Sequence, residues 1–272
     1  MTTASVAAYY DDLSDLLSAD LGGGLHFGYW AGLPEGSTMT DASRRMTELM
    51  IGKLRARPGR RILDVGCGTG GPAVDLARDT GADVVGVNIS ERQLTVAARL
   101  AAASGLAPRV RFQYGDAMDL PFAPASFDGA WLFEALFHMT DQEKVLRETA
   151  RVLRPGGRLA IANLVQRTPL SDAQNSALAE YWRVGHVAAV LPLEDYPALL
   201  GRCGFVVEEL TDISEHSTRQ TFQAIRDTHA RRARARAGLE GRSLVADRVD
   251  AGKNLLAESP EIGIAIVVAV KE

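Results

Sequence analysis

Short β-branched runs alternate with longer stretches of helical spacing through the middle of the chain. Residues 61–65 (RILDV) have the apolar, branched composition of a buried strand, and apolar positions then recur at helical intervals over residues 71–82. The alternation continues to residue 165 and is typical of βαβ units around a parallel sheet. The predicted fold class is therefore α/β.

The same pattern predicts seven strands and three helices between them. The helices are expected over residues 71–82, 91–104 and 142–152, and Arg-Pro-Gly-Gly at 154–157 ends the third. Two later apolar runs can close the sheet. The strands are predicted at residues 61–65, 83–90, 110–117, 127–135, 158–165, 205–210 and 262–270.

Three segments lack this alternation of strands and helices and are predicted to be mainly helical: residues 1–58, 166–203 and 213–258. We found no internal repeat or Pro/Ser-rich linker, so residues 1–272 are expected to form a single domain. The helical segments are expected to cap the carboxyl edge of the sheet. The predicted parts are an N-terminal helical lid (1–58), a cofactor-binding core (59–165), a helical substrate cap (166–203 and 213–258) and closing strands (204–212 and 262–270).

Composition narrows the class of partner. Apolar residues make up 46% and charged residues 24%, with a net charge of −4, so a folded protein is expected and nucleic acid is not a predicted partner. No stretch has the length of an apolar membrane span or the pattern of a signal peptide. Cys67 and Cys203 lack metal-ligand spacing. We expect a cytoplasmic protein with a small-molecule substrate, no metal and no membrane partner.

A glycine-rich turn between the first strand and the first helix is the main candidate for chemistry. Gly66, Gly68 and Gly70 allow the backbone to turn tightly and to approach a ligand. The same run also contains Gly66-x-Gly68-x-x-Gly71, which matches the dinucleotide fingerprint. Glycine spacing alone therefore leaves a methyltransferase and a dehydrogenase open, besides a tight turn that holds no ligand.

Other residues separate these alternatives. Asp64 lies two residues before the first glycine, Asp116 ends the third strand, and Pro-Gly-Gly at 155–157 precedes the fifth. A dehydrogenase is expected to carry an acidic residue at the end of the second strand, where this chain has Asn88. Together these features favour a methyltransferase.

Five segments within residues 61–157 resemble the class I S-adenosylmethionine-dependent methyltransferases: DVGCGTGGPA, GVNISERQL, YGDAMDLPF, SFDGAWLFEALFHM and RVLRPGG. The resemblance implies a Rossmann-like domain with a mostly parallel seven-stranded sheet and an antiparallel last strand. LHFGYW at 25–30, preceded by Tyr10-Asp11-Asp12, is similar to small-molecule enzymes of natural-product pathways such as sugar O-methyltransferases. The implied cofactor is S-adenosyl-L-methionine and the implied product S-adenosyl-L-homocysteine.

The resemblance also implies which residues hold the cofactor. Backbone at Gly66 and Gly68 would meet its amino-acid part, and a lid would fold over its methionine end. A carboxylate suits the adenine amine, and amide groups suit the ribose hydroxyls. The implied cofactor-binding residues are Tyr10, His26 and Trp30 in the lid, Asp64, Gly66, Cys67 and Gly68 at the turn, Asn88, Ile89 and Gln93 at the ribose, Asp116 and Ala117 at the adenine, and Phe133 and His138 after the fourth strand.

Methyl transfer is an in-line displacement, so positioning can supply much of the catalysis. His138 follows the fourth strand and is the candidate general base, with a structural or cofactor-contacting role as the alternative. The sugar O-methyltransferases carry His-His-Met and an Asp after strand five, whereas this chain has Phe137-His138-Met139 and Asn163, so one expected base pair is incomplete. Candidate substrate-pocket residues are Asn163, Tyr181, Trp182 and Tyr196.

These observations lead to one principal functional prediction, O-methylation of a hydroxyl on a small secondary metabolite. Methylation of carbon or nitrogen on a similar acceptor is the first alternative, because acceptor choice lies in the cap. A cyclase that retains the cofactor without transferring its methyl group is the second, and an NAD-dependent oxidoreductase is the third.

Overall fold

An eight-stranded sheet organises the computed structural model, which describes residues 5–8, 10–11, 26–235, 256 and 258–272, without the side chains of residues 228–235. Residues 5–8 are helical. The helices are α1 (Met39–Leu54), α2 (Gly71–Thr80), α3 (Glu91–Ala103), α4 (Gln142–Val152), α5 (Asp172–Val184), α6 (Tyr196–Arg202) and α7 (Thr218–Ala235). The strands are β1 (Arg61–Val65), β2 (Asp83–Asn88), β3 (Val110–Tyr114), β4 (Phe127–Phe133), β5 (Leu153–Gln166), β6 (Leu191–Pro192), β7 (Phe205–Asp212) and β8 (Ile262–Lys271).

The strand order is β3-β2-β1-β4-β5-β8-β7, with β6 paired to β5 off this path. Strands β1 to β5 pair in parallel, whereas β8 runs antiparallel to both β5 and β7. The α/β prediction with an antiparallel last strand is therefore confirmed. The chain leaves β1 toward β2 on one side and later places β4 on the other, so a crevice opens at the carboxyl ends of these strands.

Two sequence predictions are wrong in detail. Residues 26–37 are not helical, because glycines with positive φ, Gly32 (75°) and Gly36 (84°), turn the backbone there. Strand β5 begins at Leu153 rather than at residue 158, and its Pro-Gly-Gly segment forms an irregularity between two paired positions, Leu153 with Phe127 and Arg158 with Gly129. The two-residue strand β6 was not predicted, because a pair of residues has no readable period.

Both faces of the sheet are covered, and β4 shows the consequence. Trp131 packs in one apolar cluster and Leu132 in the other, and neither side chain is exposed. Successive side chains of a strand point to opposite faces, so a strand buried on both sides consists of a nearly continuous apolar run. Such runs made the central strands predictable from the sequence.

Asp128 joins the amino ends of β1 and β4, opposite the crevice. Its carboxylate accepts hydrogen bonds from the Arg61 backbone N–H (2.9 Å) and from the guanidinium groups of Arg60 (2.9 Å) and Arg154 (2.6 Å). Burial alone would raise the pKa of Asp128, but these donors outweigh burial and hold the pKa below its ordinary value. The carboxylate therefore stabilises the folded state.

We expect Asp128→Asn to lower the free energy of unfolding by about 1.5–3 kcal/mol at pH 7, because charge-assisted bonds are lost. Because the folded pKa is depressed, this contribution is complete above the unfolded pKa of about 3.9 and disappears as the pH falls. Denaturant unfolding at several pH values measures it. Asp83→Asn is the matched control, since Asp83 forms only an exposed pair with Arg109 at 3.7 Å. An equal loss in both variants would contradict the prediction.

Candidate active site

A cavity of about 880 Å³ opens at the carboxyl ends of β1, β2 and β4. A helical segment around Ala7 roofs it, and a smaller cavity of about 340 Å³ shares three of its lining residues. The predicted residues that border the larger cavity are Tyr10, Gly66, Gly68, Asn88, Ile89, Gln93, Asp116, Ala117, Phe133 and His138. Those that border the smaller one are His26, Asp64, Gly66, Cys67, Gly68 and Phe133.

The glycine turn forms the floor where the two cavities meet. Gly66, Gly68 and Gly70 have positive φ values of 78°, 52° and 81°. A Cβ at Gly66 would lie 2.6 Å from the Ala135 Cβ, and one at Gly70 would lie 2.6 Å from the Phe112 ring. Gly71, by contrast, has open space around it. The fold therefore requires the glycines at 66, 68 and 70, and does not use the third glycine of the dinucleotide fingerprint for close packing.

Amide groups occupy the end of β2. The Asn88 Nδ2 donates to the Gln93 Oε1 at 2.6 Å, while its Oδ1 accepts the Ile89 backbone N–H at 2.8 Å. Ser90 caps α3 by accepting the Gln93 backbone N–H, and its hydroxyl donates to Asp11 of the roof. This strand end offers neutral donors and acceptors, which suit the hydroxyls of a ribose.

Asp116 has two roles, one in the cavity wall and one in the turn after β3. It borders the larger cavity, and its Oδ1 also accepts the Met118 backbone N–H at 2.9 Å, which fixes the turn after β3. The turn places a carboxylate beside the apolar side chains of Ala117 and Ile89. Such a wall suits a flat base with an exocyclic amine.

Two buried carboxyl groups, Asp64 and Glu134, also border the cavities. Burial raises the pKa of Asp64 to about 7, with the Trp131 indole partly opposing it. Burial also raises the pKa of Glu134 to about 8, opposed by the Phe27 backbone N–H, which lies 3.0 Å from both carboxyl oxygens. A cation beside either group would favour its ionised form. These two carboxyl groups therefore fit a positively charged ligand, such as one that carries a sulfonium and an ammonium group.

His26 forms part of the smaller cavity's wall as a neutral, fixed side chain. Its ring stacks on Phe133 with 4.2 Å between centroids, Nδ1 donates to the Phe27 carbonyl and Nε2 accepts from the Thr47 hydroxyl at 3.1 Å. Burial lowers the pKa of His26 to about 4, although the bond to the Phe27 carbonyl acts in the opposite direction. His26 therefore shapes the site without carrying charge.

His138 reaches the larger cavity from a short 3-10 helix (Leu136–His138) after β4. Its Nδ1 lies 2.8 Å from the His186 carbonyl, which can only accept, so Nδ1 carries the proton. The Tyr10 hydroxyl lies 2.5 Å from Nε2. Burial lowers the pKa of His138 to about 4, despite the opposing bond to the His186 carbonyl. At neutral pH the ring is uncharged, and its acceptor nitrogen faces the cavity.

Five predicted site residues do not border either cavity in the part of the chain that the structure describes. Trp30 instead donates its indole N–H to the Thr221 hydroxyl at 3.3 Å. Asn163 and Tyr196 are fully buried and bond to each other at 2.9 Å, because Asn163 faces the core. Tyr181 and Trp182 lie side by side on α5 and pack against the core, with 5.3 Å between ring centroids.

The structure adds lining residues that the sequence did not indicate. Glu134 directly follows β4, so the strand-end rule that found Asp116 applies equally to it. The resemblance implied Tyr10, but Val6 and Ala7 beside it were not predicted, because no local pattern links residues 5–8 to β4. The added residues are Val6, Ala7, Val87, Ser90, Gly115, Met118, Glu134, Ala135, Met139 and Thr140 in the larger cavity and Thr69 and Pro72 in the smaller.

Among the described residues, no group of three or more His, Cys, Asp or Glu side chains could hold a metal ion. Within the same residues, none of the helices combines the length and the apolar character needed to cross a membrane.

Comparisons with known proteins agree with this geometry. Residues 63–161 match the family model described as a methyltransferase domain. The chain is 43% identical to methyltransferase GfsG of Streptomyces halstedii, over 81% of this chain and 79% of the relative. It is 37% identical to the 27-O-demethylrifamycin SV methyltransferase of Amycolatopsis mediterranei, over 99% and 98%. Among solved structures, the 4+2 cyclase SpnF superposes with a TM-score of 0.80 and 30% identity, over 99% of this chain and 96% of that one.

Proposed function

Because the chain belongs to the class I S-adenosylmethionine-dependent methyltransferases that act on small molecules, we propose that it methylates a hydroxyl group of a secondary metabolite. S-adenosyl-L-methionine is its cofactor and S-adenosyl-L-homocysteine its product. The observation that carries the choice of oxygen is His138, which borders the larger cavity and whose unprotonated Nε2 contacts the Tyr10 hydroxyl there. A hydroxyl nucleophile must lose a proton, and this nitrogen is placed to take it.

The cofactor is assigned to the two cavities together. Asp64 and the backbone of Gly66 and Gly68 would hold its amino-acid part. The ammonium group of that part would favour the ionised form of the buried Asp64 carboxyl group. The ribose would meet Asn88, Ile89 and Gln93, and the adenine Asp116 and Ala117, all of which border the larger cavity. The bound cofactor supplies an electrophilic methyl carbon on a positively charged sulfur.

His138 would receive the proton of the acceptor hydroxyl at Nε2 as the oxygen attacks. The proton travels directly, or through the Tyr10 hydroxyl that now contacts this nitrogen. With a pKa of about 4 the ring is unprotonated at pH 7 and Nε2 is available as an acceptor, but it is a weaker base than an imidazole whose pKa lies near the working pH. The fixed Nδ1–H bond prevents the ring from turning its donor toward the acceptor.

The acceptor is proposed by analogy with the relatives. The relative that aligns over almost the whole chain acts on 27-O-demethylrifamycin SV, as its name states. We therefore place the acceptor hydroxyl on a large natural product rather than on a metabolite the size of an amino acid. Carbon or nitrogen methylation remains the alternative for the same cofactor site.

The test uses methyl-labelled S-adenosyl-L-methionine with hydroxylated natural products, beginning with 27-O-demethylrifamycin SV. We expect a product that carries one labelled methyl group on oxygen, identified by mass and by NMR, with one S-adenosyl-L-homocysteine formed per product. A label on carbon or nitrogen would contradict the O-methylation proposal and retain the family.

A cyclase is the second candidate, and one comparison favours it. The cyclase SpnF is 30% identical over nearly the whole chain. Asn163, at the position of the family's Asp, is buried in a neutral pair with Tyr196. A product of unchanged mass, formed without label or S-adenosyl-L-homocysteine, would establish the cyclase and remove methyl transfer. The family assignment leaves no role for a nicotinamide dinucleotide.

A further inference from the structure

A loop after α5 is tied to the turn that carries His138. The backbone N–H groups of Ala188 and Ala189 donate to the Phe137 carbonyl at 2.7 and 3.3 Å. His138 Nδ1–H donates a hydrogen bond to the His186 carbonyl at 2.8 Å. We name residues 185–189 the clamp loop. It contacts the His138 ring at Nδ1, whereas the Tyr10 hydroxyl contacts Nε2.

The clamp loop contains a backbone outlier at the residue that contacts His138. His186 has φ of +50°, in the left-handed region that a non-glycine residue enters at a cost of about 1–2 kcal/mol. This conformation accompanies the contact between the His186 carbonyl and Nδ1. A strained residue persists only where the surrounding contacts hold it, so other residues must fix the loop.

Gln142 is the side chain placed to do this. It is the first residue of α4 and only 7% exposed, and its Nε2 donates to the Ala189 carbonyl at 3.0 Å. Its Oε1 is buried and has no hydrogen-bond partner among the residues that the structure describes. Helix capping does not explain it, because Asp141 caps α4 by accepting the Lys144 backbone N–H at 2.9 Å. The buried amide thus has one polar contact, and that contact is with the clamp loop.

We propose that Gln142 is a positioning residue for His138: it holds the Ala189 carbonyl, the clamp loop keeps the His186 carbonyl on Nδ1, and Nε2 is left as the proton acceptor. The consequence for turnover rests on the proposed function, because it matters only if His138 accepts the proton. The effect on the ring does not rest on it. The clamp loop also connects α5, a helix of the predicted substrate cap, to β6. His138 is therefore linked through this loop to both elements.

The experiment records the tautomer of His138 by long-range ¹H–¹⁵N NMR in the full-length protein with S-adenosyl-L-homocysteine bound. The wild type should show the Nδ1–H tautomer. Gln142→Met keeps the length of the side chain and removes the donor, and Gln142→Asn withdraws the donor by one methylene. In either variant we expect a mixture of tautomers, and kcat lower on the order of 10-fold with KM and product affinity within about twofold.

Glu143→Gln is the matched control, since Glu143 is the next residue of α4 and its carboxylate pairs with the exposed Arg147 and Arg202. It should leave the tautomer and kcat unchanged. Two variants at Gln142 are used so that a folding failure in one leaves the other to decide, and S-adenosyl-L-homocysteine binding reports folding.

The outcomes separate this proposal from the proposed function. A tautomer mixture with reduced kcat supports both. A mixture with unchanged kcat supports the positioning role and removes His138 as base. An Nε2–H tautomer in the wild type, or an unaltered Nδ1–H tautomer in a folded Gln142 variant, overturns the positioning role.

Discussion

Gly66→Ala should weaken S-adenosyl-L-homocysteine binding by about 30-fold or more. Gly66 has φ of +78°, which costs a residue with a Cβ about 1–2 kcal/mol. The new Cβ would also lie 2.6 Å from the Ala135 Cβ, and such overpacking costs about 1–3 kcal/mol. The turn can escape both costs only by leaving the conformation that floors the two cavities. Restoring that conformation would then require at least about 2 kcal/mol of binding free energy, which corresponds to the stated factor.

Gly71→Ala is the matched control for this prediction. Gly71 is the first residue of α2, has no positive φ, and a Cβ there meets nothing within 4 Å. Alanine stabilises a helix relative to glycine by about 0.5–1 kcal/mol, so product affinity should stay within about twofold and the melting temperature should rise. Isothermal titration calorimetry compares the two variants. An equal loss at Gly71, or no loss at Gly66, would contradict our account of the turn.

The sheet and the glycine turn were predictable because their information is local. Arg61–Val65 forms β1 and Gln142–Val152 forms α4, with the bounds that the apolar pattern indicates. Glycine at 66, 68 and 70 permits the positive φ angles that the structure shows there. The sequence alone could not show whether Gly70 or Gly71 is the third glycine that close packing requires. That depends on Phe112, which comes from β3, a distant strand.

The roof and the substrate pocket were less predictable, because both depend on contacts between distant segments. The bond between Tyr10 and His138 joins residues 128 positions apart. Asn163 was a candidate because it stands where the sugar O-methyltransferases carry an Asp. In the structure it lies within β5, where its amide donates to the Tyr196 hydroxyl and accepts the Phe137 backbone N–H. Successive strand residues face opposite sides of the sheet, and what packs on each side comes from distant segments that the local sequence does not show.

His138→Ala should lower kcat by about 100-fold or more while changing S-adenosyl-L-homocysteine affinity little. Removing a positioned general base costs a factor of about 10² to 10⁴. The His138 ring bonds to the Tyr10 hydroxyl and to the His186 carbonyl, so its removal should leave the glycine turn, the end of β2 and the turn after β3 in place. His216→Ala is the matched control, because His216 is exposed and its ring packs edge-on against Tyr29. The measurement is single-turnover methyl transfer with saturating cofactor.

Tyr10→Phe extends the same test, because the Tyr10 hydroxyl is the present partner of Nε2. If the two side chains pass one proton, the double variant should lose no more than His138→Ala alone, since residues that act as a unit are not additive. If Tyr10 only roofs the cavity, its loss should appear in cofactor affinity and add to that of His138. Unchanged turnover in His138→Ala would instead leave positioning as the whole of the catalysis. An acceptor acidic enough to ionise without help would then be required, and the hydroxyl to seek would be a phenol or an enol.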